Sequence, residues 1–390
     1  MPAQILATIL AALALAIWLY LLLGRGGFWL SSERDDGNLP PVQARPQAWP
    51  KVAVVIPARD EAEGIGACIG SLLAQDYPGE WDIVLVDDGS SDDTAAIARQ
   101  TAAAHAAEGR LAVVAGRPLP AGWTGKLWAV RQGIAAATRL SPAGDYLLLS
   151  DADIVYASDT LTRLVARAQA GGLMLTSLMV KLRCESLAER ALIPAFIFFF
   201  QMLYPFAWIN RPTAATAGAA GGCMLVRADI LRQAGGIDLI KDALIDDCAL
   251  AAVLKRHGPI WLGLTERAHS IRRYPHFGDI RRMVVRSAYA QLRYSPLLLM
   301  GVLAGMGVTY LAPPLIALFG TGSARLLSLA AWLLMALAFQ PTLRFYRVSW
   351  LWGIGLPAIA FCYTLFTLDS AVQSWRGRGG LWKGRVQAME

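Results

Sequence analysis

At 390 residues the chain is long enough for two or three domains. It is 55% hydrophobic and 17% charged, with a mean hydropathy of +0.42. Soluble globular proteins carry about a quarter charged residues, so part of this chain faces lipid and wholesale disorder is excluded. Five scattered cysteines (Cys68, Cys184, Cys223, Cys248, Cys362) form no CxxC pair, and there are four histidines. A disulfide scaffold and a structural zinc site are thereby excluded, and a reducing compartment is expected. The net charge of +7, in so apolar a chain, points to an anionic membrane surface rather than to nucleic acid, and no nucleic-acid partner is expected.

In chain order, Met1–Gly24 carries no charge and Ile5–Leu23 is apolar except for Thr8. That length spans a bilayer. A basic leading region and a small-x-small cleavage site are both missing, so residues 1–24 read as a retained anchor rather than a cleaved signal peptide. A soluble-type α/β domain follows over residues 50–265. Val52–Pro57, Asp82–Val86, Leu111–Ala115 and Tyr146–Leu149 are continuous apolar runs, as expected of strands buried on both faces. Helical patterns separate them, and β-α-β-α order implies a mostly parallel sheet covered by helices.

Three of these strands end in acid: Arg59-Asp60-Glu61, Asp87-Asp88 and Asp151-Ala152-Asp153. Each alone is ordinary turn or cap chemistry. Together, at the edge where parallel sheets bind ligands, they repel one another unless a cation sits among them. A divalent metal, Mg²⁺ or Mn²⁺, held with phosphate oxygens meets that need. With no Walker A motif and no GxGxxG, a P-loop enzyme and a dinucleotide-binding Rossmann domain are excluded.

Within the same domain Ala191–Asn210 is uncharged for 20 residues and rich in aromatics. Pro194, Pro205 and Gln201 argue for an in-plane or shallowly inserted interfacial segment (191–210) over a plain spanning helix. Asp246-Asp247 reads, taken alone, as the N-cap of a helix over Cys248–Arg256. From Arg267 to Arg293 seven arginines face one acid, Asp279; residues 266–295 are therefore expected to be basic interfacial helices touching anionic headgroups or a ligand diphosphate. Tyr294–Ala324, Leu326–Leu343 and Val348–Leu368 are charge-free and assign residues 296–371 to transmembrane helices, with a basic tail over 372–390. The positive-inside rule places the middle domain on the cytoplasmic face of the inner membrane. Three C-terminal crossings would put Arg376, Arg378, Lys383 and Arg385 outside, against that rule, so either one run does not cross or a fourth crossing is hidden.

Four of these features, in this order, resemble an inverting glycosyltransferase of family 2 with a GT-A nucleotide-sugar domain: VVIPARDE (54–61), VDDGSSDDT (86–94), the Asp-x-Asp at 151–153, and Ile245-Asp246-Asp247-Cys248-Ala249-Leu250. Asp246 stands where Glu is commoner in the family. Gly122-Trp123-Thr124-Gly125-Lys126, the flanking spans and Trp382-Lys383-Gly384-Arg385 resemble the hopene-associated membrane members of hopanoid biosynthesis, related to ceramide glucosyltransferases. The resemblance implies that Pro57, Ala58, Arg59, Asp60, Glu61 and Asp88 hold the donor's nucleoside and that Asp151 and Asp153 bind its ribose and the metal. It further implies Lys126 as a diphosphate partner, Asp247 (beside Asp246) as general base, and Gly221-Gly222-Cys223 as the floor beneath sugar and acceptor. Many membrane members carry (Gln/Arg)-x-x-Arg-Trp before the second membrane block. Here Ala290-Gln291-Leu292-Arg293-Tyr294 stands there, with Ala290 at the Gln/Arg position, and Arg293 is kept as a diphosphate candidate.

The expected function is transfer of a sugar from a nucleotide sugar, UDP-linked first, to the hydroxyl of a hopanoid-like or sphingolipid-like acceptor. Two rivals are a processive polysaccharide synthase, which would want more spans and the intact arginine motif, and a non-catalytic membrane scaffold, which would not need Asp151, Asp153 and Asp247.

Overall fold

Val52–Ala58 forms β1, with all seven residues buried, as its unbroken apolar run requires. The computed structural model describes residues 2–36, 49–140, 144–377, 381–382 and 385–386; Arg378, Lys383 and Gly384 of the expected tail lie outside them. The chain divides into a sheet unit (Glu33–Arg183, Trp208–Arg273 and Leu381–Glu390) and a helical unit (Met1–Ser32, Cys184–Ala207 and Tyr274–Gly380).

In the sheet unit β1 is followed by β2 (Trp81–Asp87), β3 (Leu111–Ala115), β4 (Tyr146–Ser150), β5 (Ile154–Tyr156), β6 (Leu175–Lys181), β7 (Cys223–Arg227) and β8 (Ile260–Ser270). They lie in the order β3-β2-β1-β4-β7-β6-β8-β5. The first four pair in parallel; β7 runs against both β4 and β6, β8 runs parallel to β6, and β5 runs against β8. Helices Ala62–Leu73, Thr94–Ala104 and Gly125–Leu140 make the crossovers. Ile65, Ile69 and Leu72 close the core over Ile56, Ile83, Leu85 and Leu148. Because Ala58 pairs with Asp87 and Val55 with Leu149, the carboxyl ends of β1, β2 and β4 finish on one edge. The unit begins at Glu33, earlier than the boundary at residue 50 read from the sequence. Arg34 bridges to Leu264, and the buried Asp35 accepts from Thr265 Oγ1 at 2.5 Å.

The helical unit answers two of the expectations. Leu187–Leu203 is one helix, opened by a capping box in which Ser186 and Glu189 satisfy each other's backbone N–H. Pro194 is accommodated inside it, and the helix stops before Pro205, which disfavours helical backbone in the residue it follows. Phe198 is fully buried and packs edge-on to Phe339 at 5.2 Å. The stretch Leu187–Ile209 is long and apolar enough to cross a membrane, as are Pro2–Gly24, Pro296–Phe319 and Gly322–Tyr346; a further helix runs over Leu356–Trp375.

The run with the double proline stays helical by widening. Pro313 has no N–H to give the carbonyl four residues back, at Thr309, and the turn Gly307–Leu311 opens to π geometry. The released Thr309 carbonyl accepts the buried indole N–H of Trp18 at 2.9 Å. Of the basic stretch, Arg267 belongs to β8, and helices form only over Phe277–Val285 and Ala288–Gln291.

Candidate functional site

Two loops meet beyond β1 and β2. Asp88 N–H donates to the Ala58 carbonyl at 2.8 Å, and Arg59 Nη1 donates to the Asp88 carbonyl at 2.5 Å. Asp60 sits in the left-handed region at φ 50°, a strained conformation for a non-glycine residue. Its Oδ1 is fixed by Ser91 N–H at 2.7 Å and Ser91 Oγ at 3.0 Å, and the Ser91 backbone bond is the main reason its pKa lies below the usual carboxylate range. Asp88 is 1% exposed. Gly116 lies against it so closely that a Cβ there would be 2.9 Å from the Asp88 Cα.

The aspartates after β4 are each held by a cation. Asp151 Oδ1 lies 3.0 Å from Lys126 Nζ, and Asp153 Oδ2 accepts from Arg272 Nε at 3.1 Å and from Ser270 Oγ at 2.7 Å. Arg272 also reaches Glu61 at 2.7 Å. Lys126, at the start of the helix Gly125–Leu140, is a bridge: the same Nζ is 3.2 Å from Asp246 Oδ2. Burial opposes its charge, but Asp151, Asp246 and Asp247 outweigh burial and raise its pKa.

Asp246 and Asp247 occupy the first turn of the helix Asp246–Lys255, whose N-terminus favours negative charge. The residue before them, Ile245, is the N-cap, so neither aspartate serves as one. Asp247 Oδ2 accepts from Gly221 N–H at 2.9 Å and Oδ1 from Cys248 N–H at 2.7 Å. Burial, then the neighbouring Asp246, push its pKa up to about 6 against the pull of Lys126. A Cβ on Gly221 would stand 3.3 Å from Lys126 Nζ and 3.5 Å from Asp247 Oδ2, so glycine keeps that approach open. Tyr156 Oη bonds Ser150 Oγ at 2.7 Å and donates to the Gly222 carbonyl at 3.0 Å, tying the floor to the end of β4. Cys223 is buried in β7 and its thiol is pushed up to about 12 by burial, so it contributes backbone rather than a thiolate. Pro57, Lys126, Asp151, Gly221 and Asp246 line one narrow cleft with only about 10 Å³ of free volume.

Among the described residues no group of three His, Cys, Asp or Glu side chains could hold a metal by itself. The chemistry of the donor set still fits a hard divalent ion: Asp151 and Asp153 offer two hard carboxylates, and burial, then Asp153, raise the pKa of Asp151 despite Lys126. Mg²⁺ needs only one or two carboxylates when a diphosphate supplies the other oxygens. All the sequence-derived residues from Pro57 to Asp247 fall in the sheet unit around this edge. Arg293 belongs to the helical unit, where it and Tyr294 take consecutive positive φ values of 52° and 55°; Gln291 there bonds Tyr204. Sequence reasoning missed Ser270 and Tyr156, and read Arg272 only as part of a basic stretch meeting anionic headgroups or a ligand diphosphate; its guanidinium rests on Asp153.

Residues 53–235 match the family model described as Glycosyl transferase family 2, and the mostly parallel sheet has the GT-A fold of its solved neighbours. A solved mannosyltransferase from Pyrobaculum calidifontis, in complex with GDP-Man and Mn²⁺, shares the fold at a TM-score of 0.56 and 19% identity, covering 95% of this chain and 99% of its own. An N-acetylglucosaminyltransferase of Mesorhizobium japonicum is 35% identical over 136 residues, which are 34% of this chain and 30% of that protein. One from Bradyrhizobium elkanii is 31% identical over 121 residues, 31% of this chain and 60% of that one. The chain thus spans under a third of the first of these curated relatives.

Proposed function

We propose that this protein is a membrane-bound inverting glycosyltransferase that moves a sugar from a nucleotide sugar to the hydroxyl of a lipid. The observation that carries the reading is Asp247: a carboxylate held by two backbone N–H groups, with a pKa pushed up to about 6, across Lys126 and Asp246 from the Asp151 end of the acidic pair. A base poised near neutrality takes the acceptor hydroxyl's proton as the oxygen attacks the anomeric carbon. Asp60 and Asp88 hold the nucleoside, and Gly221 keeps the space between Lys126 and the base free of a side chain, with Gly222 beside it in the floor. Asp153 and Asp151 are the residues that would hold Mg²⁺ or Mn²⁺, which when bound neutralises the departing nucleoside diphosphate. Lys126 bridges Asp151 and Asp246, so its first role is to set the relation of the donor aspartate to the base pair, with the diphosphate within its chemistry.

Support for a lipid acceptor is that, among the described residues, four helices are long and apolar enough to cross a membrane. A hopanoid-like acceptor and a UDP-linked donor follow the sequence resemblance, and the arginine-rich stretch favours the sheet unit on the cytoplasmic face of the inner membrane. Arg293 is a proposed diphosphate contact. The test is a donor and acceptor screen with purified full-length protein: nucleoside diphosphate release and a labelled lipid product, both requiring divalent metal, support the reading. Transfer undiminished in excess EDTA would remove the metal from it.

A further inference from the structure

Arg272 is held in a way that proton abstraction and sugar transfer do not call for. Its Nη2 donates to Glu61 Oε1 at 2.7 Å and its Nε to Asp153 Oδ2 at 3.1 Å, joining the loop after β1 to the second aspartate after β4. The two carboxylates are nearly sealed, with side chains 14% and 12% exposed, while the guanidinium is 35% exposed. Carboxylates so far out of water need a cation, and Ser270 gives Asp153 only a neutral hydrogen bond. Arg272 therefore supplies the positive charge at Asp153, and a divalent ion bound to the same carboxylate would face a like charge beside it. Like charges on one group weaken each other's binding. A nucleoside diphosphate reverses the balance, because its oxygens offer a planar guanidinium a bidentate anionic partner.

Resting on the nucleotide-sugar reading above, we propose that Arg272 is a resident counter-cation that opposes metal binding at Asp153 until the nucleoside diphosphate arrives, then moves from Asp153 onto the diphosphate while Glu61 keeps its hold. Metal and nucleotide thereby bind as a pair rather than independently. Arg272 is a positioning residue in this account, and the direct readout is binding rather than turnover.

The experiment titrates Mn²⁺ into full-length protein in detergent, reading unbound Mn²⁺ by electron paramagnetic resonance, alone and with UDP or GDP. Wild type is expected to bind Mn²⁺ weakly alone and about tenfold or more tightly with the preferred nucleotide, the size of an ordinary coupling between sites. Arg272→Ala is expected to bind Mn²⁺ alone about tenfold more tightly, on the scale of removing one adjacent like charge, and to lose most of the nucleotide's effect. Arg272→Lys, which keeps the charge, should return towards wild type, and Arg272→Gln is a second neutral variant should alanine unfold the protein. Unchanged Mn²⁺ affinity in both neutral variants, with the nucleotide effect intact, overturns the proposal. If in addition Asp153→Ala abolishes Mn²⁺ binding, the donor-site reading stands and Arg272 alone is wrong. If Asp153→Ala binds Mn²⁺ and nucleotide as wild type does, the donor-site reading falls, and the proposal with it.

Discussion

Asp247 brings together effects that oppose one another: burial and Asp246 raise its pKa, while Lys126 and the two backbone N–H groups lower it. The balance, at about 6, fixes the sign of the pH response. Below that value the carboxyl is protonated in the folded enzyme and cannot accept the acceptor's proton; above it the base is available. Transfer is therefore expected to rise with pH through about 6 and then level, measured as initial rate at saturating donor. Asp247→Asn should lower turnover by about 10²–10⁴-fold and erase that limb, leaving donor affinity nearly unchanged. A parallel collapse of donor affinity would make Asp247 a binding residue and transfer the role to Asp246. Asp153→Ala should abolish transfer at saturating metal while the thermal midpoint stays near that of wild type. The residue types at the site were legible because aspartates at the ends of parallel strands are local signals. Arg272 was not, since its partners lie 211 and 119 residues away in sequence and nothing local marks the pairing.

Among elements, those with a strong period were readable and those without were not. β1 and β2 are continuous apolar runs, and the structure extends each by a residue or so. β8 mixes Glu266, Arg267 and His269 into its second half, with buried and exposed positions in no simple alternation, so it read as part of a basic surface stretch. β5, three residues long, has too little pattern to show. Pro194, Pro205 and Gln201 point to an interfacial segment; the structure makes Leu187–Leu203 one helix, which the Ser186–Glu189 cap starts early enough to carry Pro194 inside. Glu189 is 1% exposed, and its carboxylate accepts from the N–H groups of Glu185 and Ser186 at 2.8 Å and of Tyr274 at 2.7 Å. Glu189→Ala leaves those donors without their acceptor and is expected to cost about 2–4 kcal/mol of stability. A thermal unfolding scan in detergent checks this; a midpoint within a degree of wild type would show that water replaces the carboxylate.

For the molecule as a whole, composition leads to the expectation that part of the chain faces lipid, and among the described residues four helices are long and apolar enough to cross a membrane. Alkaline carbonate washing of membranes is expected to leave the protein in the pellet, as spanning helices require; release into the supernatant would contradict the spans. The division into units was less visible: the uncharged aromatic run Ala191–Asn210 stands out, but nothing in the sequence marks where the chain leaves the sheet unit at Arg183. The proposed reaction sets a base in the sheet unit, Asp247, on a lipid hydroxyl. The most direct measurement incubates purified full-length protein with a radiolabelled nucleotide sugar, divalent metal and a lipid acceptor, and counts label in the organic phase for wild type and Asp247→Asn. The account predicts metal-dependent labelling of lipid by wild type and a loss of about 10²–10⁴-fold in the variant at equal donor occupancy. Equal labelling by both proteins would contradict it.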